Sequence, residues 1–458
     1  MKSKVLIANR GEIALRINRA CKELGLKTVA VYSLIDKDSL HVKWADEAVC
    51  IGSANASDSY LNMQNIISAA VATGCDAIHP GYGFLSENSV FSEMVENCHL
   101  IFVGPKAKTM ALMGNKVKAR KLVHDLGIPV VPGSFAGLQN VEEALFQAGD
   151  IGYPVLLKAC LGGGGKGLSL VNSESELRQA FFKTSQEALA NFGSSELYLE
   201  KFLKNPHHIE MQIFGDAVGN MVCLGERDCS MQRRNQKMIE ETPSPFLSPS
   251  LRASLKQDAL KLASSIQYEN AGTVEFLVDE DGQYYFIEMN MRLQVEHGIT
   301  EMVTGLDLVK EQMHVAYGNP LSFKEEDVNI SGHAIECRVI AENVINGFTP
   351  SPGKITNVFF PGGFGVRMDT HIYPGYEVSP FYDSLLAKVI VNAPNRREAI
   401  RKMRIALEQF VIEGVDTNIE FQYLIMHNRD FIKGQYDVSF IGRFYLFVKD
   451  ESYERYFR

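Results

Sequence analysis

Two glutamates in a predicted hairpin are the residues of this 458-residue sequence whose spacing first suggests chemistry. Apolar, β-rich runs at residues 273–278 and 284–288 flank Asp281-Gly282, a dipeptide typical of a two-residue hairpin turn. If that dipeptide is the turn, Glu275 lies directly opposite Glu288, with β-carbons about 5 Å apart. Two buried carboxylates at that distance repel each other unless one is protonated or a cation joins them.

The same face of the second strand continues beyond the hairpin. Two residues after Glu288, Asn290 adds an amide oxygen, and two carboxylates with an amide suit Mg²⁺ or Mn²⁺. The alternative is a pair of solvated glutamates at the rim of a sheet. Polar residues then alternate with apolar ones, which places four polar groups on one side of an extended chain: Asn290, Arg292, Gln294 and Glu296. Such a face suits a small anionic substrate and a base, although an edge strand shows the same alternation.

A glycine-rich run, Gly162-Gly163-Gly164-Gly165-Lys166-Gly167, is the second candidate site. It matches the G-x-G-x-x-G pattern, but a predicted strand at 168–171 follows where a dinucleotide fold needs a helix, and no Ser or Thr follows the lysine as in a Walker loop. A hairpin tip of glycines exposes successive backbone N–H groups that can close over phosphates, whereas the alternative is a flexible turn without function. Together with the predicted cation site, the loop indicates ATP chemistry.

Composition narrows the class of protein. The chain is 46% hydrophobic and 22% charged with a net charge of −9, which is ordinary for a globular protein and gives no overall attraction to nucleic acid or anionic membranes. No run approaches the roughly 18 apolar residues of a membrane span, and the N-terminal apolar run is too short for a signal peptide. Eight scattered cysteines without a Cys-x-x-Cys pair predict a reduced, cytoplasmic protein without a zinc site.

The elements that must position these residues fall into three regions. Alternating strand and helix patterns between residues 5 and 103 predict a doubly wound parallel sheet, with ligand-binding loops at 9–12 and 80–83. A long helix is predicted over 110–126, and strand hairpins with two helices then indicate an α+β region. A strand-rich unit begins near residue 332. The predicted fold class is therefore α/β combined with α+β.

Five segments carry a resemblance to a known family, and they occur in its order: residues 7–14, 79–88, 113–116, 229–234 and 288–297. They are similar to the motifs of biotin carboxylase, an ATP-grasp enzyme, and the similarity extends from about residue 2 to 435. The resemblance implies an N-terminal domain (1–113), an ATP-grasp domain (114–328) with a glycine-rich lid (about 130–203) and a strand-rich C-terminal domain (329–446). Residues 447–458 have no assignment.

The resemblance also implies a reaction and its residues. In this family bicarbonate attacks the γ-phosphate of ATP to give carboxyphosphate, which breaks down to CO₂ and carboxylates the ureido nitrogen of biotin. The implied cofactors are ATP with two Mg²⁺ or Mn²⁺ ions and biotin. The implied metal ligands are Glu275, Glu288 and Asn290. The implied ATP-binding residues are Lys116, Lys158, Gly163, Gly164, Gly165, Glu200, Lys201, Leu203, His208, Gln232, Asn235, Glu275 and Glu288.

The remaining implied roles concern bicarbonate and biotin. The implied bicarbonate pocket consists of Lys237, Arg292, Gln294 and Val295. Glu296 resembles the base that deprotonates bicarbonate, and Arg338 resembles the arginine that stabilises the biotin enolate; with Lys237 and Arg292 they form the expected catalytic set. Two positions depart from the family. Asn235 replaces a usual histidine and cannot become cationic, and Gly298 replaces a usual proline, which we expect to loosen the loop behind the base.

Partners follow from the same resemblance. Phe364 and Arg367 resemble contacts between the two chains of a dimer, so a homodimer is expected. The chain contains no Met-Lys-Met biotinylation motif, so we expect biotin to arrive on a separate carrier protein, with carboxyltransferase proteins as further partners. Acetyl-CoA, as in fatty acid synthesis, pyruvate and other acyl-CoA acceptors all stay open. One alternative is another ATP-grasp carboxylate ligase, which need not have the segment 292–296 together with Arg338. The other is a non-catalytic nucleotide-binding regulator; every charged position that the resemblance implies is filled, which argues against it, and Asn235 is the only feature in its favour.

Overall fold

A computed structural model of the chain describes residues 3–161 and 167–450. Its N-terminal region contains the strands β1 (Lys4–Ile7), β2 (Lys27–Ser33), β3 (Glu47–Gly52), β4 (Ala77–His79) and β5 (Ile101–Phe102). They form a five-stranded parallel sheet in the order β3-β2-β1-β4-β5. The helices are α1 (Gly11–Glu23), α2 (Leu40–Trp44), α3 (Met63–Ala72), α4 (Ser89–Asn97) and α5 (Ala107–Met113), with 3₁₀ turns at Leu34–Asp36 and Ala56–Asp58.

The two predicted ligand loops of this sheet meet at its centre. The strand order reverses between β1 and β4, where the carboxyl ends of parallel strands leave a crevice. The Asn9 side chain after β1 bridges that crevice by donating to the carbonyl oxygens of Pro80 and Tyr82, at 2.7 Å each.

The helix predicted over 110–126 is in fact two helices, α5 and α6 (Lys116–Asp125). Gly114 ends α5, and the Asn115 side chain caps α6 by accepting from the Lys118 amide at 3.0 Å. An N-cap asparagine satisfies an amide that would otherwise lack a partner, so a helix begins here in spite of the continuous helical pattern. The break places Lys116 in the first turn of α6.

A small antiparallel sheet follows. It consists of β6 (Val155–Ala159), β7 (Leu168–Val171) and β8 (Leu197–Lys201) in the order β7-β6-β8, with α7 (Val141–Ile151) and α8 (Glu174–Phe192) packed against it. The glycine run predicted to bind phosphate joins β6 to β7, and residues 162–166 lie outside the described part of the chain.

The central and C-terminal regions share one large antiparallel sheet. The central strands are β9 (His207–Gly215), β10 (Met221–Arg233), β11 (Gln236–Thr242), β12 (Asn270–Val278) and β13 (Tyr284–Asn290). The C-terminal ones are β14 (His333–Ile340), β19 (Val366–Thr370) and β21 (Leu385–Ala393). The eight strands lie in the order β13-β12-β9-β10-β11-β14-β21-β19. Because β11 pairs with β14, the sheet continues without interruption across the predicted boundary at residue 328.

Short strand pairs and helices complete the fold. The pairs are β15 (Glu342–Asn343) with β16 (Thr349–Pro350), β17 (Gly353–Lys354) with β20 (Glu377–Val378), and β18 (Asn357–Phe359) with β22 (Val411–Glu413). The helices are α9 (Pro249–Ser265), α10 (His297–Thr304), α11 (Leu308–Ala316), α12 (Arg396–Gln409), α13 (Ile419–His427), α14 (Arg429–Lys433) and α15 (Phe440–Asp450), with a 3₁₀ turn at Glu325–Asp327. Within residues 3–161 and 167–450, no helix combines the length and apolar character that a membrane crossing requires.

Candidate active site

A cleft of about 1230 Å³ lies between the N-terminal loops, the small sheet and the large sheet. Sixteen of the predicted site residues line it: Lys116, Lys158, Glu200, Lys201, Leu203, His208, Gln232, Asn235, Lys237, Glu275, Glu288, Asn290, Arg292, Gln294, Val295 and Arg338. Glu296 is fully buried beneath its floor. Gly163, Gly164 and Gly165 lie outside the described residues. The structure therefore brings together the predicted residues that it describes, although 222 positions separate Lys116 from Arg338 in the sequence.

The predicted Glu275–Glu288 pair is confirmed, but the predicted turn is wrong. The Asp279 amide donates to the Gln283 carbonyl at 2.9 Å, so residues 280–282 form a three-residue loop, with Gly282 at a φ of +79°. Next to the loop, Phe276 therefore pairs with Phe286. A β-bulge at Ile287 then adds one residue to β13 and restores Glu275 opposite Glu288.

Glu275 and Glu288 belong to a row of charged residues that crosses four neighbouring strands. Glu275 on β12 lies between Glu288 on β13 and Glu210 on β9, and Glu210 in turn lies opposite Arg227 on β10. Glu210 and Arg227 are fully buried and form an ion pair. Neither residue is among the predicted site residues, although Glu210 and Gln212 are polar residues two positions apart that alternate with the apolar residues of β9.

Lysines neutralise both members of the predicted metal pair. Lys116 Nζ donates to Glu288 Oε2 at 2.9 Å, and Lys237 Nζ donates to Glu275 Oε1 at 3.0 Å. His208 Nε2 lies 2.9 Å from Glu275 Oε2, and these cationic and polar neighbours outweigh burial and hold the pKa of Glu275 well below its usual range. The carboxylate is therefore ionised at neutral pH.

The donor atoms present fit a hard divalent cation. Glu275 and Glu288 offer carboxylate oxygens on adjacent strands, and the Asn290 amide oxygen, now accepting from Arg292 Nη2 at 3.1 Å, lies on the same face. Two carboxylates and an amide oxygen are ligands that Mg²⁺ and Mn²⁺ prefer. In this structure, lysine and arginine side chains supply the positive charge next to these oxygens, as a bound divalent cation would.

A further carboxylate in the cleft, Glu200 on β8, is bound by two cations. Arg120 Nη1 donates to it at 2.7 Å, and Lys158 on the neighbouring strand β6 forms an ion pair with its other oxygen. Burial favours the neutral acid, but Lys158 and Arg120 outweigh burial and lower the pKa of Glu200. These contacts fix the ends of Glu200 and Lys158 at the wall of the cleft.

Lys237 is the centre of the charge cluster. Its Nζ donates to Glu210 at 2.6 Å, to Glu275 at 3.0 Å and to Glu296 at 2.7 Å. One ammonium group therefore links the predicted metal site to the predicted base. Because three carboxylates surround it, the pKa of Lys237 lies well above its usual value in spite of burial, and the side chain stays charged.

Glu296 is bound between two cations. It lies at the start of α10 and is fully buried, with Lys237 Nζ on one carboxylate oxygen and Arg338 Nη2, at 2.8 Å, on the other. Burial raises the pKa of this carboxyl, but Lys237 and Arg338 outweigh burial and hold the pKa well below its usual range. The proton affinity of Glu296 increases when a bound anion takes up part of the charge of these two cations.

The predicted alternation of polar and apolar residues over 290–296 is present, although β13 ends at Asn290. Met291 and Leu293 are buried in the core, while Arg292 and Gln294 face the cleft and are joined by an Arg292 Nη1–Gln294 Oε1 hydrogen bond of 2.9 Å. The backbone of Val295 is fixed by Lys388, a fully buried residue whose Nζ donates to the Val295 carbonyl oxygen at 2.8 Å.

Comparison with known proteins identifies the family. Three family models match in order: the biotin carboxylase N-terminal domain (residues 1–110), the ATP-binding domain of the carbamoyl-phosphate synthase L chain (115–324) and the biotin carboxylase C-terminal domain (336–443). Biotin carboxylase 1 of Bacillus subtilis is 52% identical over 442 residues, which is 96% of this chain and 98% of the relative. The chain belongs to the biotin carboxylase family.

Biotin carboxylase relatives carry the names of different carboxylases. Biotin carboxylase of Haemophilus influenzae is 51% identical over 444 residues, 97% of this chain and 99% of that protein. A solved structure is also similar to this chain. It is the crystal structure of the biotin carboxylase domain dimer of Hydrogenobacter thermophilus 2-oxoglutarate carboxylase, in complex with MgADP, ADP and bicarbonate. Its TM-score is 0.95 at 48% sequence identity, and the match covers 97% of this chain and 98% of that one. The predicted ATP-grasp fold, the enzyme class of ATP-dependent ligase and the biotin carboxylase reaction are thereby confirmed.

The two departures from the biotin carboxylase motifs have structural explanations. Arg233 pairs with Gln236, so Arg234 and Asn235 form a two-residue turn between β10 and β11, with φ values of 49° and 64°. A turn with two positive φ values favours asparagine. Gly298 lies in the first turn of α10 rather than in a loop, and a β-carbon there would lie 2.3 Å from Ile390 Cδ1. The expected loop is therefore a helical turn, and Ile390 occupies the space that a larger residue at position 298 would need.

Proposed function

We propose that the chain carboxylates biotin with the cluster around Lys237, and that bicarbonate and biotin use opposite sides of Glu296. The observation that supports this assignment is the position of Glu296, which contacts Lys237 on one oxygen and Arg338 on the other. Lys237 links Glu296 to the predicted metal and ATP residues, whereas Arg338 lies on the side away from them.

In the first step, bicarbonate binds to Lys237, Arg292, Gln294 and the backbone of Val295, and Glu296 takes its proton. A bicarbonate oxygen then attacks the γ-phosphorus of ATP, ADP leaves, and carboxyphosphate forms. Arg292 is held for this role by Glu87, which accepts from Arg292 Nε at 2.8 Å and from the Met291 amide at 2.9 Å. A fixed guanidinium places an anion without further loss of side-chain freedom.

ATP lies along the other wall of the cleft in this proposal. Lys116 and Lys158 contact its phosphates. The glycines predicted to bind phosphate, Gly163, Gly164 and Gly165, lie outside the described residues. Its base and ribose lie at Glu200, Lys201, Leu203 and His208, with Gln232 and Asn235 nearby. Mg²⁺ or Mn²⁺, held by Glu275, Glu288 and Asn290, supplies charge that balances the phosphates. The Hydrogenobacter relative, which holds MgADP and bicarbonate, supports these assignments.

In the second step, carboxyphosphate breaks down to CO₂ and phosphate, the released phosphate takes the proton of the ureido nitrogen of biotin, and this nitrogen attacks the CO₂. The negative charge that develops on the biotin oxygen lies beside Arg338. Burial opposes the charge of this guanidinium, but Glu240, Glu296 and Glu336 outweigh burial and raise its pKa, so Arg338 stays cationic throughout.

The test is ADP release with Mg²⁺ and ATP, measured with and without bicarbonate and biotin. We expect ADP release to require bicarbonate and to increase when free biotin is added. ADP release that ignores bicarbonate but responds to another carboxylate would replace this proposal with a different ATP-grasp ligase.

We also propose the partners of the chain. Biotin arrives on a separate carrier protein, and a carboxyltransferase partner selects the final acceptor, so acetyl-CoA and pyruvate are both compatible with this chain. Two observations support a homodimer: the domain dimer of the Hydrogenobacter relative, and the 98% exposure of Phe364. Arg367, the other predicted dimer contact, forms ion pairs within its own chain, with Glu301 and Asp369. All eight cysteines are free thiols, which supports a cytoplasmic location.

A further inference from the structure

Two glutamates beside Arg338 have no role in the reaction described above. Glu240 on β11 and Glu336 on β14 lie directly opposite each other, and each is fully buried. Glu336 shares its face of β14 with Arg338, two residues along the strand. Apart from an ion pair between Arg338 and one oxygen of Glu240, the four carboxyl oxygens of Glu240 and Glu336 have no hydrogen-bond partner among the described residues.

The cations around this pair are too few to neutralise it. Arg338 Nη2 lies 2.5 Å from Glu240 Oε1, but the same nitrogen donates to Glu296 at 2.8 Å. Lys388 lies opposite Arg338 on β21 and diagonal to Glu336, but its Nζ donates to the Val295 carbonyl and forms an ion pair with Glu12 at 3.0 Å.

The remaining neighbours give no further neutralisation. Arg367, which lies close to Gly298 as Glu336 does, is already bound to Glu301 and Asp369. His297 on α10 is neutral, because burial holds its pKa well below the usual value.

Other polar groups near the pair also have partners elsewhere. Lys237 already donates to three other carboxylates, and the nearby Tyr82 hydroxyl donates to Glu12. The two nearby thiols, Cys229 and Cys337, are neutral because burial raises the pKa of each well above its usual value.

Two ionised carboxylates opposite each other in this buried position would be strongly unfavourable. Burial raises the pKa of Glu240 to about 7 and raises that of Glu336 well above its usual range. A carboxyl group that donates its proton to a neighbouring carboxylate satisfies both with a single hydrogen bond and removes one negative charge.

We propose that Glu240 and Glu336 share one proton at neutral pH and that this proton keeps Arg338 able to accept the anionic form of biotin. The pair is thus a positioning device for Arg338, and this second half rests on the proposed function. Loss of the proton adds a negative charge beside the guanidinium, which draws Arg338 towards the pair and opposes an approaching anion.

The shared proton predicts how the rate of biotin carboxylation changes with pH. As the pH increases through the pKa of the pair, carboxylation of biotin should fall by up to about tenfold per pH unit relative to bicarbonate-dependent ATP cleavage. ATP cleavage without biotin does not use Arg338 in this proposal and should lack that decrease.

The first test detects the proton in the free protein and does not depend on any activity. Infrared difference spectra across neutral pH should show the carbonyl stretch of a buried carboxylic acid disappear as the pH increases. Glu336→Gln should abolish that band. The matched control is Glu311→Gln, which removes a buried carboxylate on α11 that accepts hydrogen bonds from Ser322. A wild-type spectrum without the titrating band, or a band that survives in Glu336→Gln, would overturn the shared proton.

The second test connects the proton to biotin. Glutamine at position 336 carries no charge and donates to Glu240 at every pH, so it imitates the protonated pair. We expect Glu336→Gln to keep carboxylation of free biotin within about threefold of wild type at neutral pH and to lose the alkaline decrease. An alkaline decrease identical to that of wild type, in a variant whose thermal unfolding shows it to be folded, would overturn the link to Arg338.

Discussion

Glu275 and Glu288 lie opposite each other on adjacent strands, yet each carboxylate forms an ion pair with a different lysine, Lys237 for Glu275 and Lys116 for Glu288. The repulsion between the two carboxylates is thereby offset before any metal binds. A divalent cation between them would release both ammonium groups towards the cleft, where the proposed phosphates and bicarbonate lie. In the proposed function, the metal site and the anion site would therefore be coupled through the same two lysines.

The first prediction concerns this pair. Glu288→Gln should reduce Mg²⁺-dependent ADP release by roughly 100-fold or more, because a catalytic metal contributes several kcal/mol. The fold should survive, since the side chains of Glu288 and its partner Lys116 are partly exposed at the cleft. The measurement is ADP release against Mg²⁺ concentration. Glu280→Gln, an exposed glutamate in the loop of the same hairpin, is the control and should behave as wild type. An unchanged Mg²⁺ dependence in Glu288→Gln would refute the metal site.

The second prediction distinguishes the residue needed for bicarbonate-dependent ATP cleavage from the residue needed for carboxylation of biotin. Glu296→Ala should abolish bicarbonate-dependent ATP cleavage, because no base remains to take the bicarbonate proton. Arg338→Ala should reduce carboxylation of biotin far more than it reduces ATP cleavage without biotin. Both activities are measured on the same preparation, as ADP release and as carboxybiotin formed. Equal losses of the two activities in Arg338→Ala would contradict its assignment to the second step.

The third prediction concerns stability and pH. Glu241 follows Glu240 on β11 but lies on the opposite face, where Arg396 donates to both its oxygens at 2.6 and 2.9 Å. Burial is outweighed by Arg396 and His333, which lower the pKa of Glu241 from 4.5 to about 2. A depressed carboxyl pKa stabilises the fold above pH 4.5, and this contribution is lost as the pH falls towards 2.

Glu241→Gln should therefore lower the free energy of unfolding at pH 7 by roughly 3 kcal/mol, which is the free-energy equivalent of that pKa difference. The difference between variant and wild type should shrink as the pH falls below about 4.5. Denaturant unfolding at pH 7 and at two acidic pH values measures it. A difference that grows in acid would show the wrong sign and refute the ion-pair explanation.

The fourth prediction concerns Asn235, an exposed residue at the rim of the cleft. Asn235→His should lower the KM for ATP about 2- to 5-fold at pH 6, where the imidazole is charged, as expected for an exposed charge pair of up to about 1 kcal/mol. The effect should vanish at pH 8. Asn235→Gln keeps an amide and serves as the uncharged control. A change in KM that is the same at both pH values would exclude a charge effect.

The fifth prediction concerns the source of biotin. The chain contains no Met-Lys-Met sequence, so no lysine of it should be biotinylated when it is produced together with an active biotin ligase. Streptavidin blotting of the purified 458-residue chain should show no band at its own mass. A biotinylated band there would contradict delivery of biotin by a separate carrier.

Local patterns in the sequence determined the parts of the site that lie close together along the chain. The Glu275–Glu288 pair and the alternation from Asn290 to Glu296 follow from the two-residue period of an extended chain, and they survive a different turn and the end of β13. The turn itself was predicted incorrectly because a bulge at Ile287 and a longer loop compensate each other. The helix at 110–126 was predicted incorrectly because the cap at Asn115 competes with a continuous helical pattern.

Only the tertiary structure decided which distant residues meet. Glu210 joins the carboxylate row because β9 pairs with β12, and Arg338 reaches Glu296 because β14 continues the central sheet through β11. Lys388 supports Val295 from a strand 93 residues further along the chain. Strand pairings of this kind are selected by the packing of whole faces and by the burial of apolar residues, which no local period records. The sequence determined the residue types of the chemistry, and the long-range pairing of strands decided which charges neutralise each other.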